Sequence, residues 1–120
     1  MEKPVKGDIV VVSFPFSDLS HAKKRPSLVL ASLEGSDLIL CQITSKFTKD
    51  NHSILLYETD FVKGSLRQTS SIRPNKLFTA DVSIIMYKVG SISSKKFEEI
   101  TEKLCKLIKG KYLEEAEKNE

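Results

Sequence analysis

The sequence predicts a mainly β fold of the α+β class, a small antiparallel barrel of about five to six strands followed by one C-terminal amphipathic helix. In residues 1–93, short β-branched and apolar runs alternate with turn residues, a pattern typical of small barrels. After residue 93 the apolar residues recur at three and four positions, which indicates a helix. A chain of 120 residues is long enough for one hydrophobic core, so we expect a single domain over 1–120.

The barrel is expected over about residues 6–92. A turn at 34–37 joins the second and third runs, so these two should form a hairpin. The fifth run is expected to stop at Pro74-Asn75 and the sixth at Gly90, because these residues favour turns. The predicted strands are Ile9–Phe14, Ser27–Leu33, Leu38–Ile43, Ser53–Tyr57, Ser70–Arg73 and Ser83–Val89.

The helix is expected over about 94–109, with a polar tail over 110–120. Ser93 or Ser94 can cap its N-terminus, and Gly110 suits its C-terminal end. One face carries an apolar stripe, which we expect to cover the base of the barrel. The stripe consists of Phe97, Ile100, Leu104, Leu107 and Ile108.

Several function classes are disfavoured by composition. The apolar runs are too short to span a bilayer and no signal peptide is evident, so we expect a cytoplasmic protein without membrane contact. Cys41 and Cys105 lie far apart among apolar neighbours, which favours two buried thiols over a disulfide or zinc site. His21 and His52 belong to no metal-binding pattern, so no metal or other cofactor is expected.

The positive charge is concentrated in the predicted barrel. Residues 94–120 contain seven Lys and seven acidic residues, whereas residues 1–93 contain nine Lys, three Arg and nine acidic residues. The whole net charge of +3 therefore lies before residue 94. Because Arg suits bidentate contact with phosphate, this distribution favours a polyanionic partner, although a solvated surface would look similar.

Arg25 and Thr44 are the first candidate pair for chemistry. Each lies about nine or ten residues from Gly35, so a hairpin that turns there brings them to the same end of the strand pair. A guanidinium beside a hydroxyl could hold a phosphate that gains charge in a transition state. The alternative is a solvated Arg and a Thr selected only for its β propensity.

Four segments, in this order and at this spacing, resemble the MazF/PemK (Kid-like) family of toxin endoribonucleases. The resemblance extends over about residues 6–109. The segments are GDIVVV at 7–12, KRPSLVL at 24–30, QITS at 42–45 and SSIRPNKLFTAD at 70–81.

The resemblance implies an SH3-like barrel that usually forms a homodimer. It also implies a type II toxin, inhibited by a cognate antitoxin with an acidic, partly disordered segment. Such toxins cut single-stranded RNA at specific sequences without a metal, by attack of the 2′-hydroxyl on the adjacent phosphate. Arg25 and Thr44 fall on the family's catalytic Arg and Thr/Ser positions.

Other roles transfer with departures from the family pattern. Arg73 matches an arginine that acts beside an acid, but Asn75 stands at the acid's position and cannot take a proton as a carboxylate would. His21 lies in the loop where some members carry a histidine, and is either an acid/base group or a solvated side chain. His52 reads as plain surface.

A second set of residues could bind RNA without taking part in the chemistry. The lysines would attract phosphates, and an aromatic ring could stack on an unstacked base. Each could equally be a solvated or packing residue, and the same alternatives hold for Arg67, before the fifth strand. The set consists of Phe16, Lys23, Lys24, Ser45, Lys46 and Asn75.

Three alternatives to a nuclease remain open at this point. The fold could serve a non-enzymatic, CcdB-like toxin that binds gyrase, although that mode needs an apolar helix end and this chain ends in EEAEKNE. It could also be an SH3-like module that only binds nucleic acid or peptides. The third alternative is a decayed toxin, which the presence of Arg25 and Thr44 disfavours.

Overall fold

The part of the chain that the structure describes forms one seven-stranded antiparallel sheet and one long helix. The computed structural model describes residues 2–15, 22–46 and 51–110. In the described residues the strands are β1 (Asp8–Pro15), β2 (Ala22–Ser32), β3 (Asp37–Thr44), β4 (Ile54–Leu56), β5 (Phe61–Gly64), β6 (Ser70–Asp81) and β7 (Ile85–Ile92). The helix is α1 (Ser94–Lys109). Short 3-10 turns at Glu58–Asp60 and Val82–Ile84 precede β5 and β7.

The strands follow the order β4-β6-β3-β2-β1-β7-β5 across the sheet, which curls into a half-barrel. The predicted mainly β class with a C-terminal helix is therefore confirmed. The one strand of these seven that the sequence did not predict is β5, a four-residue edge strand in which apolar and polar residues do not alternate. It lies so close to β7 that a Cβ at Gly64 would meet the Val89 carbonyl at 2.0 Å, and one at Gly90 would meet the Lys63 carbonyl at 2.2 Å.

Strand β6 continues past the proline that was expected to end it. Cys41 of β3 lies opposite Leu77, whereas the next residue, Gln42, lies opposite Arg73. Residues 74–76 therefore form a bulge inside β6, and the prediction of a stop at Arg73 was wrong. Proline has no N–H to donate, so its place in a bulge costs no ladder hydrogen bond, and the strand can continue beyond it.

The sheet buries apolar side chains on both faces. On one face, β1, β2, β3, β4, β6, β7 and α1 contribute to a core of Ile9, Leu28, Cys41, Ile43, Ile54, Leu56, Ile72, Ile92 and Ile100. A smaller core on the other face contains Val10, Val12, Val29, Leu38, Leu40, Ala80 and Ile85. We call the face covered by α1 the helix face.

The helix is capped at both ends and fastened at its start. The Ser93 hydroxyl accepts a hydrogen bond from the Lys96 amide at 3.2 Å, and Gly110 ends the helix in a left-handed conformation with φ of 75°. Lys96 is buried, with its ammonium 3.4 Å from the Asp60 carboxylate in the turn before β5. No helix among the described residues is long and apolar enough to cross a membrane.

The apolar stripe of the helix covers the barrel at its start, as expected, but not at its last residue. Ile100 is fully buried and Phe97 packs against the same core, but Ile108 is 71% exposed. Leu104 and Leu107 are half-buried, so the expectation that all five stripe residues cover the barrel base was wrong for Ile108. Cys105 is also exposed, contrary to expectation, whereas Cys41 is buried, and this burial raises the pKa of its thiol to about 12.

Candidate nucleic-acid interface

The strand register brings polar side chains of three adjacent strands onto one face of the sheet. In the ladders of β3, Gln42 lies opposite Ser27 of β2 on one side and opposite Arg73 of β6 on the other. Thr44 lies opposite Ser71 of β6. Residues directly opposite in antiparallel strands share a face, as do alternate residues of one strand. These five side chains therefore lie on the face opposite α1.

Arg25 joins them by continuation of the same register. It lies two residues before Ser27 in β2, and Thr44 lies two residues after Gln42 in β3. Extending the Ser27–Gln42 pairing by two residues in each strand places Arg25 across from Thr44. We call Arg25, Ser27, Gln42, Thr44, Ser71 and Arg73 together the polar face.

The alternation of the sequence explains why this face is polar. The residues that alternate with its members along the strands point to the helix face, where Leu28, Cys41, Ile43 and Ile72 belong to the main core. Since side chains alternate along a strand, burial of these residues turns the polar ones to the opposite side. The smaller core lies on that same side, one row further along β2 and β3, so the polar face is bordered by packed apolar residues.

Partial burial restricts the side chains of the polar face. Arg25, Gln42, Thr44 and Arg73 are half-buried, whereas Ser71 is buried. The Thr44 hydroxyl oxygen accepts a hydrogen bond from the Lys46 amide at 3.1 Å. A hydroxyl that accepts in this way still has its own proton to donate, so the Thr44 oxygen is fixed while its O–H can serve a ligand.

Ser27, Gln42 and Ser71 were missed by the sequence analysis as members of a possible site. The Ser27 hydroxyl is fully buried and has no hydrogen-bond partner among the described residues. The signal for all three was the two-residue period: Ser27 follows Arg25, Gln42 precedes Thr44 and Ser71 precedes Arg73 at a spacing of two. That period reveals which residues share a face once the strands are known to be neighbours.

The predicted RNA-binding residues separate into two groups by face. Lys23 lies an even number of residues from Arg25 and so projects to the polar face, whereas Lys24 projects to the helix face. Ser45 and Lys46 are exposed directly after Thr44. Asn75 is exposed in the β6 bulge, two residues after Arg73. Lysines therefore lie beside the polar face and also on the other side of β2.

Two predicted site residues, Phe16 and His21, lie outside the described residues. His52 is half-buried, not fully exposed as expected for plain surface. Within the described part of the chain, no group of three or more His, Cys, Asp or Glu side chains is placed to hold a metal ion.

The geometry offers donors and cations, and the described part of the polar face contains no carboxylate. Two guanidinium groups flank a strand that carries a hydroxyl and an amide. Guanidinium groups bind phosphate oxygens in bidentate fashion, and a hydroxyl adds a further donor. The arrangement suits a phosphodiester group better than a cation or an apolar ligand.

The comparisons with known proteins identify a family over most of the chain. The model of the PemK-like, MazF-like toxins of type II toxin–antitoxin systems matches residues 5–108. No curated protein sequence matches the chain.

Solved structures of similar fold cover most of the chain. An endoribonuclease from a mycobacterial species, solved with its cognate antitoxin, is 11% identical with a TM-score of 0.70, covering 88% of this chain and 94% of its own. A MazE–MazF structure from Deinococcus radiodurans is 17% identical with a TM-score of 0.72, covering 88% and 96%. The Mycobacterium tuberculosis toxin MazF-mt6 is 17% identical with a TM-score of 0.63, covering 81% and 91%.

At these identities the solved structures establish the fold alone. The family match establishes more, because it extends over nearly the whole described chain and includes every residue of the polar face. The chain therefore belongs to the PemK-like, MazF-like toxin family of type II toxin–antitoxin systems.

Proposed function

We propose that the protein is a sequence-specific endoribonuclease that cleaves single-stranded RNA, including mRNA, without a metal and thereby inhibits translation and growth. The observation that carries the proposal is the position of Arg25, Thr44 and Arg73 on one face of three adjacent strands. Two of the structures similar in fold are endoribonucleases by name, which agrees with this reading.

In the proposed reaction the nucleophile comes from the substrate. The ribose 2′-oxygen attacks the adjacent phosphorus, and the bond from phosphorus to the 5′-oxygen of the next nucleotide breaks. The products are a 2′,3′-cyclic phosphate and a 5′-hydroxyl. DNA lacks the 2′-hydroxyl, so it can be bound but not cut.

The polar face supplies stabilisation of the charge that develops on the phosphate. Arg25 and Arg73 hold the non-bridging oxygens, and the Thr44 hydroxyl donates to one of them as negative charge builds. The Lys46 amide, which donates to Thr44 at 3.1 Å, keeps that hydroxyl in place. Positioned donors of this kind need no reorganisation during the reaction.

Proton transfer in the proposed reaction needs an acid or base group, and Asn75 cannot be that group. The 2′-hydroxyl loses a proton as it attacks, and the departing 5′-oxygen gains one. Asn75 cannot accept a proton as a carboxylate would, so it is assigned a hydrogen bond to RNA instead. His21 is the proposed acid/base residue, since imidazole titrates near neutral pH.

The partners follow from the family and from the charges around the polar face. Two of the similar structures contain an antitoxin: that of the mycobacterial enzyme and that of MazE–MazF. We infer that this toxin acts in the cytoplasm as a homodimer. Its RNA would lie in a basic groove between subunits, and an acidic, partly disordered antitoxin segment would occupy the same groove. Lys23 and Lys46, both exposed beside the polar face, would attract either polyanion.

The test is incubation of the purified protein with single-stranded RNA in EDTA. We expect cleavage with 2′,3′-cyclic phosphate and 5′-hydroxyl ends, no cleavage of DNA of the same sequence, and no cleavage by Arg25→Ala. Sequencing of the ends identifies the recognised bases. Growth arrest without RNA cleavage would contradict the proposal and favour the CcdB-like, gyrase-binding alternative. RNA binding without cleavage would favour an SH3-like binding module.

A further inference from the structure

A groove on the helix face lies behind the polar face, on the other side of strand β2. Its volume is about 440 Å³. Strands β1, β2 and β7 and the segment between β5 and β6 form it. We call it the rear groove, and its lining consists of Val11, Lys24, Pro26, Ser65, Leu66, Arg67, Tyr87 and Val89.

The floor of the rear groove is an apolar row that ends in an aromatic ring. Val11 lies opposite Pro26 in the β1–β2 ladder and opposite Tyr87 in the β1–β7 ladder, so the three residues form one row across three strands. Tyr87 is 50% exposed. A half-exposed ring over an apolar floor can stack on a planar group.

Among the described residues that line the groove, two are cations and none is acidic. Lys24 is exposed beside Pro26, and Arg67 enters from the β5–β6 segment. Leu66, which directly precedes Arg67, packs against the main core and so anchors the segment to the sheet.

The backbone at Arg67 is held in an unfavourable conformation. Its φ of 65° lies in the left-handed region, and its amide donates to the Ser65 hydroxyl at 3.0 Å. A non-glycine residue pays for this conformation, and such strain is concentrated at functional sites. The hydrogen bond and the Leu66 anchor keep the Arg67 side chain at the groove.

We propose that the rear groove binds a flanking segment of the single-stranded RNA substrate, with phosphates on Lys24 and Arg67 and one base stacked on Tyr87. The proposal rests on the proposed function. It connects the two faces through consecutive residues of β2: Lys23 and Arg25 project to the polar face and Lys24 to the rear groove. An RNA chain whose scissile phosphate is bound at the start of β2 would thus meet cations on both sides of the sheet.

A single-stranded nucleic acid fits this groove better than an acidic peptide does. Extended peptides usually bind a sheet by adding a strand to a free edge. The middle floor strand, β1, pairs with β2 at Pro26 and with β7 at Tyr87, so it offers no free edge to a peptide. Cations beside an aromatic ring are instead the usual combination for unstacked bases and their phosphates.

The experiment measures binding of a fluorescein-labelled single-stranded RNA of mixed sequence by anisotropy at several salt concentrations. Arg25→Ala is the parent protein, so that RNA is not consumed. Arg67→Ala and Tyr87→Leu are added to it separately. The matched controls are Lys95→Ala, an exposed cation of α1, and Tyr57→Leu, an aromatic residue after β4 that is 46% exposed; neither residue lines the rear groove.

Tyr87→Leu should weaken binding about tenfold, because stacking of one base on an aromatic ring accounts for about that factor. Arg67→Ala should weaken binding and reduce the slope of log affinity against log salt by about 0.7, the value for one phosphate contact on a single strand. The two control variants should bind like the parent.

Parent-like affinity and slope in both groove variants would overturn the proposal. It would equally be overturned if these variants bound RNA normally and lost affinity for an acidic antitoxin segment, since the groove would then be a peptide site. Failure of the proposed function looks different: wild-type protein would not cleave RNA and the parent would not bind it. In that case the inference falls with the function on which it rests.

Discussion

Replacement of Thr44 by valine tests the proposed chemistry with little change in shape. Valine keeps the β-branched outline that suits a strand and removes only the hydroxyl. Thr44 is half-buried at the end of β3, so the substitution creates no core cavity. The matched variant Thr44→Ser keeps the hydroxyl and removes a methyl group.

Thr44→Val should change the free energy of unfolding little and the cleavage rate strongly. In Thr44→Val the Lys46 amide loses its acceptor, but Lys46 is exposed and water can replace it. The free energy of unfolding should therefore fall by at most about 1 kcal/mol, the usual net value of one hydrogen bond. Loss of one transition-state donor costs much more, on the order of 10² to 10³ in rate.

Single-turnover cleavage of a labelled RNA, with thermal unfolding of each variant, distinguishes the two effects. We expect Thr44→Val to unfold within a few degrees of wild type and to cleave at least about a hundredfold more slowly. Thr44→Ser should retain most of the rate. Equal rates for the valine and serine variants would show that the Thr44 hydroxyl has no chemical role, and Ser45 would become the next residue to test.

Three further predictions concern Arg25, the two thiols and the antitoxin. Arg25→Ala should abolish RNA cleavage and growth arrest with less than about 1 kcal/mol of destabilisation. Arg25→Lys should recover only part of the cleavage rate, because an ammonium lacks the planar fork of a guanidinium. Wild-type cleavage by a folded Arg25→Ala protein would refute the assignment. A thiol reagent should label native Cys105 at once and Cys41 only on unfolding, as mass spectrometry would show. Burial raises the Cys41 pKa from 9.0 to about 12. The contribution of this thiol to the free energy of unfolding is therefore complete below pH 9.0 and is lost as the pH rises toward 12. The difference in that free energy between wild type and Cys41→Ala should shrink over this range. Lys23→Glu should weaken both RNA and antitoxin binding, and inhibition by the antitoxin should weaken as salt rises, as titration calorimetry at two ionic strengths would show.

The fold could be predicted where one local pattern decided the structure. The apolar period between residues 94 and 109, with a serine before it and Gly110 after it, is a complete description of a capped helix. Strands β1 and β3 each contain an uninterrupted β-branched or apolar run. The hairpin at Gly35 then brings Arg25 and Thr44 to the same end without any knowledge of the remaining strands.

The missed features depend on contacts between distant segments. Nothing near Pro74 shows that β6 continues beyond a bulge; that depends on β3, which pairs with both halves of the strand. Strand β5 exists because Gly64 and Gly90 allow its close approach to β7. The exposure of Ile108 depends on how far the sheet extends under the helix, which the period of the helix does not reveal.

The order of the strands also brings Arg73 to the proposed site although it lies far from Arg25 in the sequence. Strand β3 lies between β2 and β6, so the backbones of Arg25 and Arg73 are separated by two strand spacings, about 10 Å. Two long side chains from the outer strands can converge over the middle one, where Thr44 and Gln42 lie on the same face. Two guanidinium groups that face a common space favour a ligand with several anionic oxygens over a single carboxylate, because each can take its own pair of oxygens. A phosphodiester that gains charge as it is attacked would fit this requirement, and Thr44, on the strand between those of the two cations, offers a third, uncharged donor.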